Sequence, residues 1–243
     1  MPHGTPDWGL VGPKAITYGL DDLGEAVARL GSPHLWDRRG DVLYVTDFRE
    51  GLGMMAYTSN GTGAGVFLVT GHSRLGAYAV NLRAGSDGAR FANLHVALPF
   101  QASSCVGLEC SFSLHVNSSY MRWDVYWLDG AVASYGGVVY DHVAQQLRYR
   151  TTGDVWQVLA GGVGRHASAH PEHTMKVVVD MGIHEYVRFL LDELAYDMRG
   201  IPVYVTPAPA APYWGFAIEH YGVALQNPDS YVDSVIITQN EPW

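Results

Sequence analysis

The chain has 243 residues, of which 48% are hydrophobic and 16% charged, with a formal net charge of −9 at pH 7. That apolar share supports a sizeable core and excludes global disorder. The acidic balance argues against nucleic-acid binding, and no run of about 18 apolar residues offers a membrane-spanning helix.

In chain order, residues 1–19 are rich in Gly and Pro and read as an extended arm. A short helix is expected next. Asp21 can cap it, Leu23, Ala26, Val27 and Leu30 recur at helical spacing, and Gly31 and Pro33 end it. The opening MPHGTPDWGLVGPK lacks an apolar signal core, so no secretory address is expected at this end. The predicted organisation is an arm and helix over 1–40, then a β-sandwich domain over 41–243.

From Val42–Phe48 onward, strand patterns alternate with turn signals. The predicted strands are Gly65–Thr70, Gly76–Arg83, Arg90–Pro99, Gly107–Val116, Tyr120–Leu128, Ala133–Tyr140, Gln145–Thr151 and Val155–Leu159, then His173–Met181, Tyr186–Asp192, Trp214–Leu225 and Tyr231–Gln239. Asp129-Gly130, Gly153-Asp154 and Met181-Gly182-Ile183 suit hairpin turns. Residues 161–172 and 206–213 read as loops.

The two-residue period separates the faces of these strands. Met121, Trp123, Val125 and Trp127 turn one way, and Tyr120, Arg122, Asp124 and Tyr126 the other. Leu108, Cys110, Phe112 and Leu114 oppose Glu109, Ser111, Ser113 and His115. Met175, Val177, Val179 and Met181 oppose Lys176 and Asp180, while Val187, Phe189 and Leu191 oppose Tyr186, Arg188 and Asp192. One buried and one polar face per strand is the pattern of antiparallel sheets packed as a sandwich. Cys110 falls on a core face. Cys105, five residues away, is too distant to bridge it along one extended strand.

The passages GLECSFSLHV, YMRWDVYWLDG, GVVYDHVAQQLRYRTTGDVWQVL, HTMKVVVDMGIHEYVRFLLDELAYDM and YVDSVIITQNEP resemble concanavalin-A-like lectin/glucanase sandwiches. The resemblance implies an all-β, antiparallel jelly-roll β-sandwich. It fixes fold rather than activity. Over about the first 50 residues, GTPDWG, DDLGEAVARLGS and DRRGDVLYVTDFREGLG are similar to leaders of bacteriophage structural proteins.

Sandwich glycosidases of this resemblance carry an E-x-D-x-x-E strand, and none occurs here. No nucleophile elbow, P-loop or dinucleotide fingerprint occurs either. No catalytic residue is therefore expected. A candidate ligand face consists of Tyr120, Arg122, Asp124 and Tyr126, joined by Arg148, Arg150, Lys176, Tyr186 and Arg188 if their strands are neighbours. Aromatic rings of such a face stack on sugars while polar neighbours grip hydroxyls, or the face docks a protein subunit. Trp123, Trp127 and Trp156 read as core, and His95, His115, His142 and His220 as strand-surface residues.

No cofactor is required, but two metal sets are conceivable. Asp47, Glu50 and Asp233 could staple the chain ends through a structural calcium. His166, His170 and His173 have loose zinc spacing in a loop. The expected function is a non-catalytic structural or binding protein of an extracellular assembly, a bacteriophage virion component first. The alternative is a carbohydrate-binding, lectin-like module, and the second alternative a glycan-cleaving enzyme. Expected partners are neighbouring protein subunits in a homo-oligomer, and glycans. The expected location is a virion or the extracellular space.

Overall fold

The computed structural model describes residues 39–73, 77–87, 91–99 and 105–243. The expected arm and helix, with Trp8 and Trp36, lie outside the described residues.

The described residues form β-strands and no helix. In chain order the strands are β1 (Asp41–Thr46), β2 (Ala56–Asn60), β3 (Gly65–Thr70), β4 (Tyr78–Arg83), β5 (Phe91–Pro99), β6 (Cys105–Phe112), β7 (Ser118–Leu128) and β8 (Val132–Asp141). Then follow β9 (Gln146–Thr151), β10 (Val155–Gly161), β11 (His173–Asp180), β12 (Glu185–Leu191), β13 (Leu194–Asp197), β14 (Tyr204–Pro207), β15 (Tyr213–Gly222) and β16 (Asp229–Gln239). Every pairing between them is antiparallel.

The first sheet runs β13-β12-β11-β6-β16-β4-β3, with β1 also paired to β16. The second runs β10-β9-β8-β7-β15-β5-β2, with β14 also paired to β8. Between them lies one large apolar cluster. The second sheet contributes Trp123, Trp127, Trp214 and Phe216, and the first contributes Leu108, Phe112, Val177, Phe189 and Ile237. Alternation thus settles which side of β6, β7 and β11 turns inward, as the sequence predicts.

Two strands, β2 and β14, escape the sequence reading, while β13 is the short returning strand that the passage HTMKVVVDMGIHEYVRFLLDELAYDM leads one to expect. β2 is exposed along its length, and β13 and β14 have four residues each. The last two residues of β14 fall in the segment read as loop. Its Pro207 is the last residue of the strand, a position where a missing N–H is tolerated.

The polar side of the first sheet departs from expectation because it is buried as well. Glu109, Ser111, Ser113 and Lys176 are fully enclosed. The tail after β16 crosses this face: the Glu241 amide donates to the Cys105 carbonyl at 3.2 Å, and Arg188 donates to the Pro242 carbonyl at 2.6 Å. Lys176 Nζ lies 2.7 Å from Glu241 Oε1 and 3.7 Å from Glu109 Oε2, while Arg188 pairs with the other Glu241 oxygen. Buried charges persist when paired in this way. Both cysteines are buried thiols, and that of Cys105 donates to Asp180 Oδ2 at 3.3 Å.

His220 is a second correction. It lies on the core side of β15 and is fully buried. Its ring bridges Ser118 Oγ at 2.9 Å and the Leu82 carbonyl at 2.7 Å, which ties β15 to β4 of the opposite sheet. Burial pushes its pKa down to about 4. The unfolded chain, with an ordinary imidazole near 6.5, then binds a proton that the folded chain refuses. Stability is therefore lost as pH falls from about 6.5 towards 4, by about 3 kcal/mol from this residue. Urea denaturation at pH 7 and pH 4.5 checks this. His220→Gln is expected to flatten that pH dependence relative to the parent, and an unchanged slope would refute the assignment.

Candidate functional site

The outward side of the second sheet carries the most organised polar surface. β7 is central and presents Tyr120, Arg122, Asp124 and Tyr126 there, because their neighbours Met121, Trp123, Val125 and Trp127 are held in the core. Across the sheet, His95, Ala217, Asp124 and Gly137 occupy successive strands in one row. Glu219, Arg122 and Val139 form the next row on one side, and Gly215, Tyr126 and Tyr135 the next on the other.

Small residues turn this surface into a depression. A β-carbon at Gly215 would sit 2.0 Å from Tyr126 Cζ, so glycine is what lets the tyrosine ring lie down over β15. A β-carbon at Gly137 would sit 2.5 Å from Asp124 Oδ1 and 3.0 Å from the Trp156 ring. The resulting cavity, about 280 Å³, is lined by residues from six strands, among them Asn93, Arg122, Asp124, Tyr126, Arg150 and Glu219.

Its polar groups are held in place by one another. Arg122 Nε lies 2.7 Å from Asp124 Oδ2, and its Nη1 lies 3.6 Å from Glu219 Oε2. Asn93 donates to Glu219 Oε1 at 2.7 Å, and the Tyr221 hydroxyl donates to Oε2 at 3.0 Å. Arg150 pairs with Asp154 at 2.6 Å and stacks its guanidinium over Tyr135 and Tyr204, at 4.8 and 4.7 Å from the ring centres. Such stacking orients the arginine fork.

Asp124 is the unusual member. It is nearly fully buried, and its Oδ1 has no hydrogen-bond partner among the described residues. Burial raises its pKa to about 6 despite the opposing pull of Arg122. The carboxyl can therefore donate a hydrogen bond in mild acid and accept one above that range. Tyr126, its neighbour on the same face, has its phenol pushed up to about 12 by burial and stays a neutral donor. Aromatic faces beside fixed donors and acceptors are the equipment for holding a polyhydroxylated ligand.

Neither a protein-family model nor a curated protein matches the sequence. Solved structures do match in three dimensions. A cellulose-induced protein, Cip1, superposes with a TM-score of 0.54 at 11% identity, over 80% of this chain and 96% of that one. An endo-β-1,4-glucuronan lyase from the fungus Trichoderma reesei gives 0.51 at 9% identity, over 81% and 95%. A Bacillus subtilis protein of unknown function with a galectin-like fold gives 0.50 at 10% identity, over 83% and 97%. The fold is the concanavalin-A-like jelly roll. Identities this low establish the jelly roll and nothing about its chemistry.

The jelly roll brings together six of the nine residues in the expected ligand face. Tyr120, Arg122, Asp124, Tyr126, Arg148 and Arg150 share it because β7, β8 and β9 are consecutive neighbours. The other three do not join them. Lys176 and Arg188 lie on β11 and β12 of the opposite sheet, on its far side. Tyr186 turns into the core, where its hydroxyl donates to the Gly137 and Arg150 carbonyls at 2.9 and 2.7 Å. The cause is an irregularity in β12. Val178 pairs with Arg188 and Val179 with Tyr186, so Val187 is skipped and the alternation reverses.

Trp156 is likewise corrected from core to surface. From β10 it reaches over Gly137, and the Arg122 guanidinium lies 5.3 Å from its ring centre. Sequence reasoning missed Glu219 and Asn93, whose polar positions in β15 and β5 alternate with apolar ones but carry no mark of the strand they sit beside.

Neither metal set assembles. Among the described residues no three His, Cys, Asp or Glu side chains are placed to hold an ion. Asp47 pairs with Arg49 at 2.7 Å, Glu50 is exposed, and Asp233 is fully buried beside Ser234. His173 has both ring nitrogens engaged, by Asp192 Oδ2 and the His166 carbonyl, each at 2.9 Å. His166 pairs with Glu172 at 2.6 Å. These bonds pin the 161–172 loop and leave no converging lone pairs for zinc.

Proposed function

We propose that the protein is a carbohydrate-binding module, with its site in the cavity around Asp124, Tyr126 and Arg122 on the outward face of the second sheet. The observation that carries this reading is the buried Asp124 oxygen without a partner, placed between an aromatic wall (Tyr126, Tyr135) and fixed polar groups (Arg122, Asn93, Glu219). The oxygen is covered, and a ligand that shifts its cover and brings a hydroxyl there satisfies a group whose burial otherwise costs stability. Fold likeness adds modest support. One neighbour is described as cellulose-induced and another as a glucuronan lyase, so carbohydrate-related proteins occur on this scaffold.

This reading has more support than the virion role, for which the cavity supplies no specific feature. An extracellular location goes with the glycan reading. Among the described residues no helix is long and apolar enough to cross a membrane.

The test is a glycan array that includes cellulose and glucuronan fragments, followed by calorimetry on the best ligand. Tyr126→Ala is expected to weaken binding tenfold or more, about 1.4 kcal/mol. Absence of binding to every glycan, or full binding by the variant, overturns the reading. Cleavage of the bound glycan would convert the module into an enzyme, and product analysis of the same incubations reads this out.

A further inference from the structure

A second cavity, about 270 Å³, lies on the same face further along β7. It is lined by Ser119, Tyr120, Arg122, Val139, Asp141, Arg148 and Trp156. The Arg122 guanidinium, stacked on Trp156, borders this cavity and also the first.

The two cavities carry matching equipment. In the first, the Arg122–Asp124 pair at 2.7 Å faces Tyr126 and Tyr135, whose rings stack at 5.9 Å. In the second, the Arg148–Asp141 pair at 2.8 Å faces Tyr120 and Trp156. Tyr120 is held by stacking on Tyr221 at 4.2 Å, and Asp141 is fixed by a hydrogen bond from the Ala144 amide at 2.8 Å. Each cavity thus combines one ion pair that can grip hydroxyls with two aromatic faces for sugar rings. Tyr120 and Tyr126 are six residues apart on one strand, about 20 Å, which is several sugar rings.

We propose that the two cavities are consecutive subsites for one linear polysaccharide, bound through an internal stretch that passes over the Arg122–Trp156 ridge. The proposal rests on the glycan-binding reading above and adds a ligand class to it: an extended chain rather than a terminal sugar. Repeated subsites multiply affinity because the second contact is made within an already bound chain.

Calorimetry with cello-oligosaccharides and glucuronan oligosaccharides, from the disaccharide to the hexasaccharide, tests this on the full chain. Affinity is expected to rise tenfold or more with length in the series that binds. Tyr120→Ala and, independently, Arg148→Gln are expected to abolish that rise while leaving disaccharide affinity within about twofold, a result that also shows the variants are folded. Tyr126→Ala is expected to weaken every length. If the hexasaccharide binds no more tightly than the disaccharide, or if both second-cavity variants retain the full length dependence, the second subsite is overturned and the glycan reading stands. If neither series binds, the proposal fails for these chains. The glycan array then decides separately whether the broader reading fails too.

Discussion

Lys176→Ala is expected to lower the free energy of unfolding by about 3–5 kcal/mol, the range for removing one partner of a buried ion pair. Lys176 is fully buried on β11, with Nζ 2.7 Å from Glu241 Oε1 and 3.7 Å from Glu109 Oε2. Its removal withdraws one cation from two enclosed carboxylates. Arg188 still pairs with Glu241, but Glu109 loses the lysine beside it. The same bonds hold the tail over the first sheet, so the loss also loosens residues 241–242. Lys176→Met keeps most of the side-chain volume and separates charge from packing. It should cost nearly as much as alanine, and adding Glu241→Gln should recover part of the loss, because neighbours in one charged network are not additive. Guanidinium denaturation of the four proteins checks this. A loss under about 1 kcal/mol for the single variants would show that the cluster contributes little.

Trp123→Ala is expected to cost a similar amount, about 3–5 kcal/mol, through the cavity it leaves. The indole is fully buried on the core side of β7. It meets Phe112 edge-on at 4.9 Å between ring centres and Phe189 at 6.1 Å, so it joins the second sheet to two strands of the first. For a domain of this size the loss corresponds to a fall in Tm of roughly 6–20 °C. Trp123→Phe, which retains a ring, is expected to lose less than half as much. Because Arg122 and Asp124 flank Trp123 on the strand and face outward, thermal and calorimetric measurements should be made together. Glycan affinity is expected to weaken in the alanine variant as the strand beneath the cavity loses its anchor. A destabilisation within 1 kcal/mol would mean that the core repacks around the gap.

Much of the architecture was legible in local pattern. β3 coincides with its predicted limits, and β7, β8 and β9 begin or end within two residues of theirs. Apolar and polar side chains alternate along β7, and the turns carry the residues that turns require. Gly153 and Asp154, both at positive φ, close β9 onto β10, as that dipeptide suggested. β2 and β14 were not legible. Each is short, and their exposure gives no strong apolar alternation to read. His220 and Trp156 were misplaced for the same reason in opposite directions. Residue type biases burial, but the neighbours across the sandwich decide it.

The sequence by itself determined the two faces of β7, and with them which of its residues could meet a ligand. Alternation along an extended strand is local geometry and needs no partner. Sheet order decided the rest. It set Arg150 at the cavity of Asp124 and Tyr126 and Arg148 at that of Tyr120, and sent Lys176 and Arg188 to the other side of the molecule, and one skipped residue in β12 turned Tyr186 inward. Those outcomes depend on contacts between segments far apart in the chain, which side-chain periodicity within a strand does not encode.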